Sequence, residues 1–301
     1  MKRGQKLIAG AAVLLAFGII ATGAIVWDRH TVATTDPAAA EASEVAKARE
    51  ALPSTTPSSG PPTADDIVSP PPQPAALTKN PLYRIGKLPA TRCRQPLQSP
   101  TSLANVRAFE TELLSCLNRL WQPAIQRAGF TFQAPKLVVV KGTSPSSPCD
   151  IYDRDAYYCG GTIYIDATTV LDSWNGNQGQ TVAYLTFVLG HEYGHHLQAL
   201  TGIFKAEYQW QLPRVDLSLL GSRRIELQAN CLSGVFLGAV QGTYLLVDED
   251  LADWQAVVRN FIDPDRDHGN TENAGNWSIA GYDAADPKAC NTFTAAAPFV
   301  A

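Results

Sequence analysis

Three imidazoles and a carboxylate are packed into the run Gly190-His191-Glu192-Tyr193-Gly194-His195-His196. His191, Glu192 and His195 fit the pattern H-E-x-x-H. They lie within Thr181 to Leu200, a stretch without proline and apolar throughout, which predicts a largely buried helix. On a helix, a spacing of four places His191 and His195 one turn apart on one face. Two ring nitrogens can there bind one zinc ion at about 2.0 to 2.1 Å. Glu192 is rotated about 100 degrees from His191, too far to share the metal yet close enough to take a proton from a water beside it. The chain has only 5 histidines, and a chance H-E-x-x-H is expected in roughly one per cent of such sequences or fewer. Phe187, Val188, Leu189, Leu197 and Leu200 surround the motif. Burying these polar groups without a partner would be costly, and a metal satisfies them. His196 adjoins His195 but points elsewhere around the helix, which suits packing or hydrogen bonding better than ligation.

A catalytic zinc needs a third protein ligand and one open position. Thr201 and Gln198 occupy the places where metzincins carry a histidine and a glycine, which excludes that class. A carboxylate on a later helix is the remaining usual solution. Ile225, Ala229, Leu232, Phe236 and Val240 form one apolar stripe on a helix expected from about Arg223 to Val240, with Gly242 beyond its end. Glu226 sits beside that stripe and is the best candidate. Asn230, one turn on, can accept the free N–H of a ligating histidine and fix its tautomer. The competing reading makes Glu226 a solvated carboxylate paired with Arg223, with Glu207 the substitute ligand. His268 is the one histidine of the expected folded part outside the zinc helix. It is a candidate donor to a developing oxyanion, weighed against a structural loop histidine.

The elements that must position these groups can be read around them. From Ser102 to Ala128, Leu103, Val106, Phe109, Leu113, Leu114, Leu117, Leu120 and Ile125 recur at helical steps. Lys136 to Lys141 and Thr162 to Asp166 are short, β-branched and strand-like. The Gly/Asn-rich stretch Asn175 to Gly179 precedes the histidine helix, and Gly202 is placed to stop it. A loop containing Pro213 follows, then the Glu226 helix and an amphipathic helix over Leu251 to Phe261. From Ile262 onward the chain reads as loop-rich. These expectations describe one α+β domain over residues 82–301, helix-rich with a small sheet.

Lys2, Arg3 and Lys6 precede an uncharged run from Leu7 to Trp27, long enough to cross a hydrocarbon layer of roughly 30 Å. The basic flank (residues 1–6) predicts a cytoplasmic N-terminus and a single-pass anchor at 7–27, with everything after Asp28 outside the cell membrane. A cleaved signal peptide is the rival, given the small residues at Ala21 to Ala24. Residues 28–81 are rich in Ala, Pro, Ser and Thr and predict a disordered linker. All 6 cysteines follow it, and an even number on the outer side suggests disulfides. Local spacing pairs Cys149 with Cys159 and Cys93 with Cys116, leaving Cys231 and Cys290. Net charge is only -4, with no basic cluster beyond the extreme N-terminus, so a nucleic-acid partner is not expected.

With these residues in view, the sequence resembles the bacterial neutral zinc metallopeptidases, a gluzincin-like family with an N-terminal membrane segment and a zincin domain. His191-Glu192-Tyr193-Gly194-His195-His196 looks like the family's zinc helix, and Glu226-Leu227-Gln228-Ala229-Asn230-Cys231 like its third-ligand helix. Thr162-Ile163-Tyr164-Ile165-Asp166 is similar to its edge strand. His268-Gly269 and Asp286-Pro287-Lys288-Ala289-Cys290-Asn291-Thr292-Phe293 extend the likeness towards the C-terminus. The resemblance implies a zincin-like domain holding one zinc per chain through His191, His195 and Glu226, with Glu192 catalytic. Two positions depart from it: the family usually has aspartate where Asn230 stands, and Glu272 to Trp277 lacks an expected arginine. The expected activity is hydrolysis of peptide or protein substrates, with a zinc-activated water and Glu192 as general base. An extended peptide would add along Thr162 to Asp166. The alternatives are a catalytically inactive zincin-fold scaffold of the cell envelope, or a hydrolase of a non-peptide amide or ester there.

Overall fold

A computed structural model describes residues 72–144, 147–149, 155–244, 248–261, 263 and 267–301. The expected membrane span Leu7–Trp27 lies outside them, as does the linker before residue 72. Among the described residues no helix is long and apolar enough to cross a membrane.

The described part opens with α1 (Ala75–Thr78) and a 3-10 turn at Pro81–Arg84, then enters α2 (Leu103–Arg127). Ser102 caps α2 by accepting the Asn105 N–H, satisfying one of the amides that a helix start leaves unpaired. Strands β1 (Lys136–Val140), β2 (Ala156–Cys159) and β3 (Thr162–Asp166) follow, then α3 (Thr168–Ser173) and α4 (Gln178–Leu200). Asn177 caps α4 through the Gln180 N–H, and Gly202, at φ 72°, closes it. That left-handed turn is open to glycine at little cost. The remaining helices are α5 (Ile203–Gln211), α6 (Ser218–Tyr244), α7 (Asp248–Arg259) and α8 (Thr271–Ala284), and short 3-10 turns end the chain. The fold is α+β, with helices dominant over a three-stranded sheet.

Three sequence expectations need correction. The stretch between Gly202 and the Glu226 helix is not one loop, because it contains α5, Ile203–Gln211. The stretch after Ile262 is not uniformly loop-rich, because α8 runs for 14 residues and packs against α6. Its partner face is built from small residues: a Cβ on Gly281 would meet the Cys231 carbonyl, and one on Gly234 would meet Ser278. Helix α8 therefore buries backbone and lacks the apolar stripe that reveals a helix in sequence. The strand Thr162–Asp166 is not an edge, because β3 pairs parallel with β1 and antiparallel with β2. The edge beside α4 is β2, whose Tyr158 hydroxyl meets His196. Asp155, just before β2, accepts the Tyr184 hydroxyl of α4 at 2.9 Å. These contacts lie on either side of His191 and His195 along α4, so β2 runs beside the histidine turn.

Helices α4 and α6 are antiparallel and unusually close. Gly190 of α4 faces Ser233 of α6, and Gly194 faces Ala229, where an added Cβ would stand 2.9 Å from the Ala229 Cα. Three disulfides join Cys93 to Cys116, Cys149 to Cys159 and Cys231 to Cys290, the pairs that sequence spacing suggests. The third ties α6 to the C-terminal turn Pro287–Cys290.

Candidate metal centre

The glycine contacts between α4 and α6 let the histidine turn and Glu226 meet. His191 Nε2 and His195 Nε2 lie 3.0 Å apart, and each stands 3.1 Å from Glu226 Oε2. His191 and His195 are buried and Glu226 is partly so. Among the described residues these three can offer one ligand atom each within 4.8 Å of one another. Such a cluster of lone pairs is repulsive unless a cation or protons occupy its centre. Protons are one answer: although burial opposes charging, the Glu226 carboxylate lifts His195 to about 9. Burial likewise pushes the Glu226 carboxyl up, but His195 and His268 outweigh it and hold that group well below the usual carboxylate range. A divalent cation is the other answer, and two imidazole nitrogens with one carboxylate oxygen form a donor set suited to zinc. The residues fit the ion.

The other nitrogens of both rings are engaged by neutral amides. His191 Nδ1 donates to Asn230 Oδ1 at 2.8 Å, the contact expected from helix spacing. His195 Nδ1 donates to Gln198 Oε1 at 2.9 Å, a contact the sequence reading missed. Helical spacing held its signal, because Gln198 follows His195 by three residues and so shares its face. Glu192 is buried, and its Oε2 has no hydrogen-bond partner among the described residues. Burial raises its carboxyl above the ordinary value, with His191 and His195 pulling the other way.

His268 reaches the same centre from the segment before α8. Its Nε2 is 3.3 Å from Glu226 Oε2, outside the three-residue cluster but beside it. Its Nδ1 donates to Asp267 Oδ1 at 2.6 Å, and its backbone N–H to Asp263 Oδ2 at 2.6 Å. Burial opposes the charge, yet Glu226, Asp263 and Asp267 together raise the ring to about 10. The two aspartates are a further miss, since only the fold places Asp263 against a histidine five residues later.

The remaining candidates fall elsewhere. His196 Nε2 donates to the Gln133 carbonyl at 2.7 Å, and Nδ1 accepts from the Tyr158 hydroxyl at 3.2 Å. Both nitrogens are thus used away from the cluster, and burial lowers the ring to about 4. Glu207 is buried against Gly221 on α6 and is not in the cluster. Glu226 meets histidines in place of Arg223, and the neighbouring Arg224 donates to the Thr292 and Ala295 carbonyls.

The model of the family described as "Putative neutral zinc metallopeptidase" matches residues 83–293. The chain belongs to this family. The match takes in every group of the centre, from the histidine helix to His268. Among similar proteins, the uncharacterized protein YpfJ of Escherichia coli (strain K12) is 30% identical over 204 residues, covering 62% of this chain and 70% of that protein. The uncharacterized protein Rv2575 of Mycobacterium tuberculosis (strain ATCC 25618 / H37Rv) is 29% identical over 211 residues, 60% of this chain and 68% of that one. No solved structure matches the chain.

Proposed function

We propose that this chain is a zinc-dependent endopeptidase acting outside the cytoplasmic membrane, held there by Leu7–Trp27. The observation that carries the reading is the meeting of His191, His195 and Glu226 around one point, with a buried Glu192 oxygen that has no partner among the described residues. Family membership and three disulfides support it. Zinc, when bound by His191, His195 and Glu226, supplies Lewis acidity that acidifies water and polarises a carbonyl.

The chain's own residues supply the rest. Glu192, its basicity raised by burial, takes the proton of the attacking water and passes it to the leaving amine. His268 turns Nε2 towards the centre with Nδ1–H pinned by Asp267, a pose suited to donating to the developing oxyanion. The substrate backbone is placed by β2. Asp166 N–H donates to the Asp155 carbonyl opposite it, so by strand alternation Ala156 and Tyr158 turn their backbone groups to the outer edge. An extended peptide can pair there whatever its side chains.

The test is cleavage of unfolded protein by the full chain, with zinc per chain measured alongside. Glu192→Gln is expected to lower the rate by about 10²- to 10⁴-fold while zinc content stays near one per chain. Cleavage that survives this substitution would overturn the role of Glu192. Zinc without any cleavage would favour the inactive scaffold, a reading prompted by the neutral Asn230 at a position where the family usually has aspartate. Cleavage of envelope components but not peptides would assign a non-peptide substrate.

A further inference from the structure

We infer that Gln198 and Gln228 are positioning residues: two buried amides in series that fix which nitrogen of His195 faces the metal. The inference rests on the metal-centre reading above. It starts from two backbone carbonyls, which can only accept. Gln228 Nε2 donates to the Cys290 carbonyl at 3.0 Å and to the Tyr83 hydroxyl at 2.7 Å. With both N–H bonds used there, Gln228 must turn Oε1 the other way, towards Gln198 Nε2 at 3.1 Å. The second N–H of Gln198 goes to the Ile225 carbonyl at 2.8 Å. Gln198 Oε1 is thereby aimed at His195 Nδ1, and an acceptor there requires Nδ1 to carry the hydrogen. In the neutral ring the Nε2 lone pair is then left facing His191 and Glu226.

Reversing either amide sets oxygen against oxygen, at Ile225 for Gln198 and at Cys290 for Gln228. Gln198 and Gln228 are fully buried and Tyr83 nearly so, so bulk water does not relieve a reversed amide. Both anchor points of the relay are themselves held by the fold. Cys290 is held to α6 by its disulfide with Cys231, and Tyr83 lies in the Pro81–Arg84 turn that packs on the Pro287–Cys290 turn. His191 differs: the Nδ2 of Asn230 is buried without an acceptor among the described residues, so there the amide is held by its single contact with the ring.

The experiment compares the full chain with Gln198→Met, Gln228→Met and the double variant. Zinc affinity is read by competition with a chromophoric chelator, and the melting midpoint is read on metal-free protein. Gln198→Met is expected to weaken zinc binding by about 10- to 100-fold, and Gln228→Met by less. Because the amides act in series, the double variant should bind no more weakly than Gln198→Met alone. Unchanged affinity with a lowered metal-free midpoint would make the amides purely structural and overturn the relay, and so would losses that simply add. If Gln198→Met does not fold, Gln228→Met decides: weaker zinc binding by a folded metal-free chain supports the relay, and parental affinity overturns it. A parent chain that takes up no zinc overturns the metal centre and the relay together, whereas normal uptake with unaffected variants overturns the relay alone.

Discussion

At the scale of single residues, the centre is distinguished by neutral groups behind its two histidines. Asn230 accepts from His191 with its oxygen while its buried Nδ2 has no acceptor among the described residues. An aspartate there would keep the acceptor, make it anionic and remove the unpaired donor, whose burial costs about 1 to 3 kcal/mol. Asn230→Asp is therefore expected to tighten zinc binding by about 10-fold or more, checked by chelator competition at constant pH. Unchanged or weaker binding would show that the charge behind His191 does not govern affinity. A second expectation concerns the protons that must leave the cluster when a metal enters. His195, lifted to about 9 by Glu226, is protonated at pH 7 without metal and must be neutral to ligate. Zinc uptake at pH 7 should accordingly release at least one proton, and affinity should fall as pH drops below about 9. Titration calorimetry in buffers of different ionisation enthalpy measures this; a buffer-independent heat would contradict it.

At the scale of elements, the centre exists because α4 and α6 come close at Gly190, which faces the Ser233 side chain, and at Gly194, which faces the Ala229 backbone. Gly194→Ala would bring a methyl to 2.9 Å from the Ala229 Cα and 3.0 Å from its carbonyl oxygen, and backbone cannot give way as a side-chain tip can. The helices must part, at a cost of about 1 to 3 kcal/mol, which moves His191 and His195 away from Glu226. The expected result is a lowered melting midpoint together with weaker zinc binding; a drop in stability alone would show that α6 follows α4 as a rigid body. The same packing decides what could be read from sequence. Histidine spacing, Glu226 and Asn230 were legible because each follows from helical periodicity within one element. Strands β1 and β3 were legible from β-branched runs. Strand β2 was not, since Ala-Tyr-Tyr-Cys is too short to show alternation, and without it β3 passes for an edge. Helix α8 stayed hidden for the reason that lets it pack: its glycines and asparagines carry weak helical propensity, which contact with α6 overrides. The aspartates around His268 lie in a stretch whose local pattern predicts no geometry.

At the scale of the whole molecule, the metal centre joins parts of the chain that are distant in sequence. The candidate ligands come from α4 and α6, His268 from the segment before α8, and the Gln198–Gln228 hydrogen bonds reach Tyr83 near the start of the described chain. If zinc binds only when these parts are assembled, it must stabilise the entire domain and not one helix pair. Free zinc at about 100 times its dissociation constant adds roughly 2.7 kcal/mol. For a folded region of this size, each kcal/mol raises the midpoint by about 2 to 4 °C. The midpoint should therefore rise by roughly 5 to 11 °C and keep rising with the logarithm of zinc concentration. Scanning calorimetry across a buffered zinc series should show one transition moving as a unit, because the disulfide and the glycine contacts leave no part of the site on an independent body. The rise should persist in Glu192→Gln, which keeps all three ligands, and vanish in His191→Ala, which does not. A rise equal in both variants would place the stabilising ion elsewhere on the molecule, and two separating transitions would show that the ligand-bearing helices do not share one cooperative core.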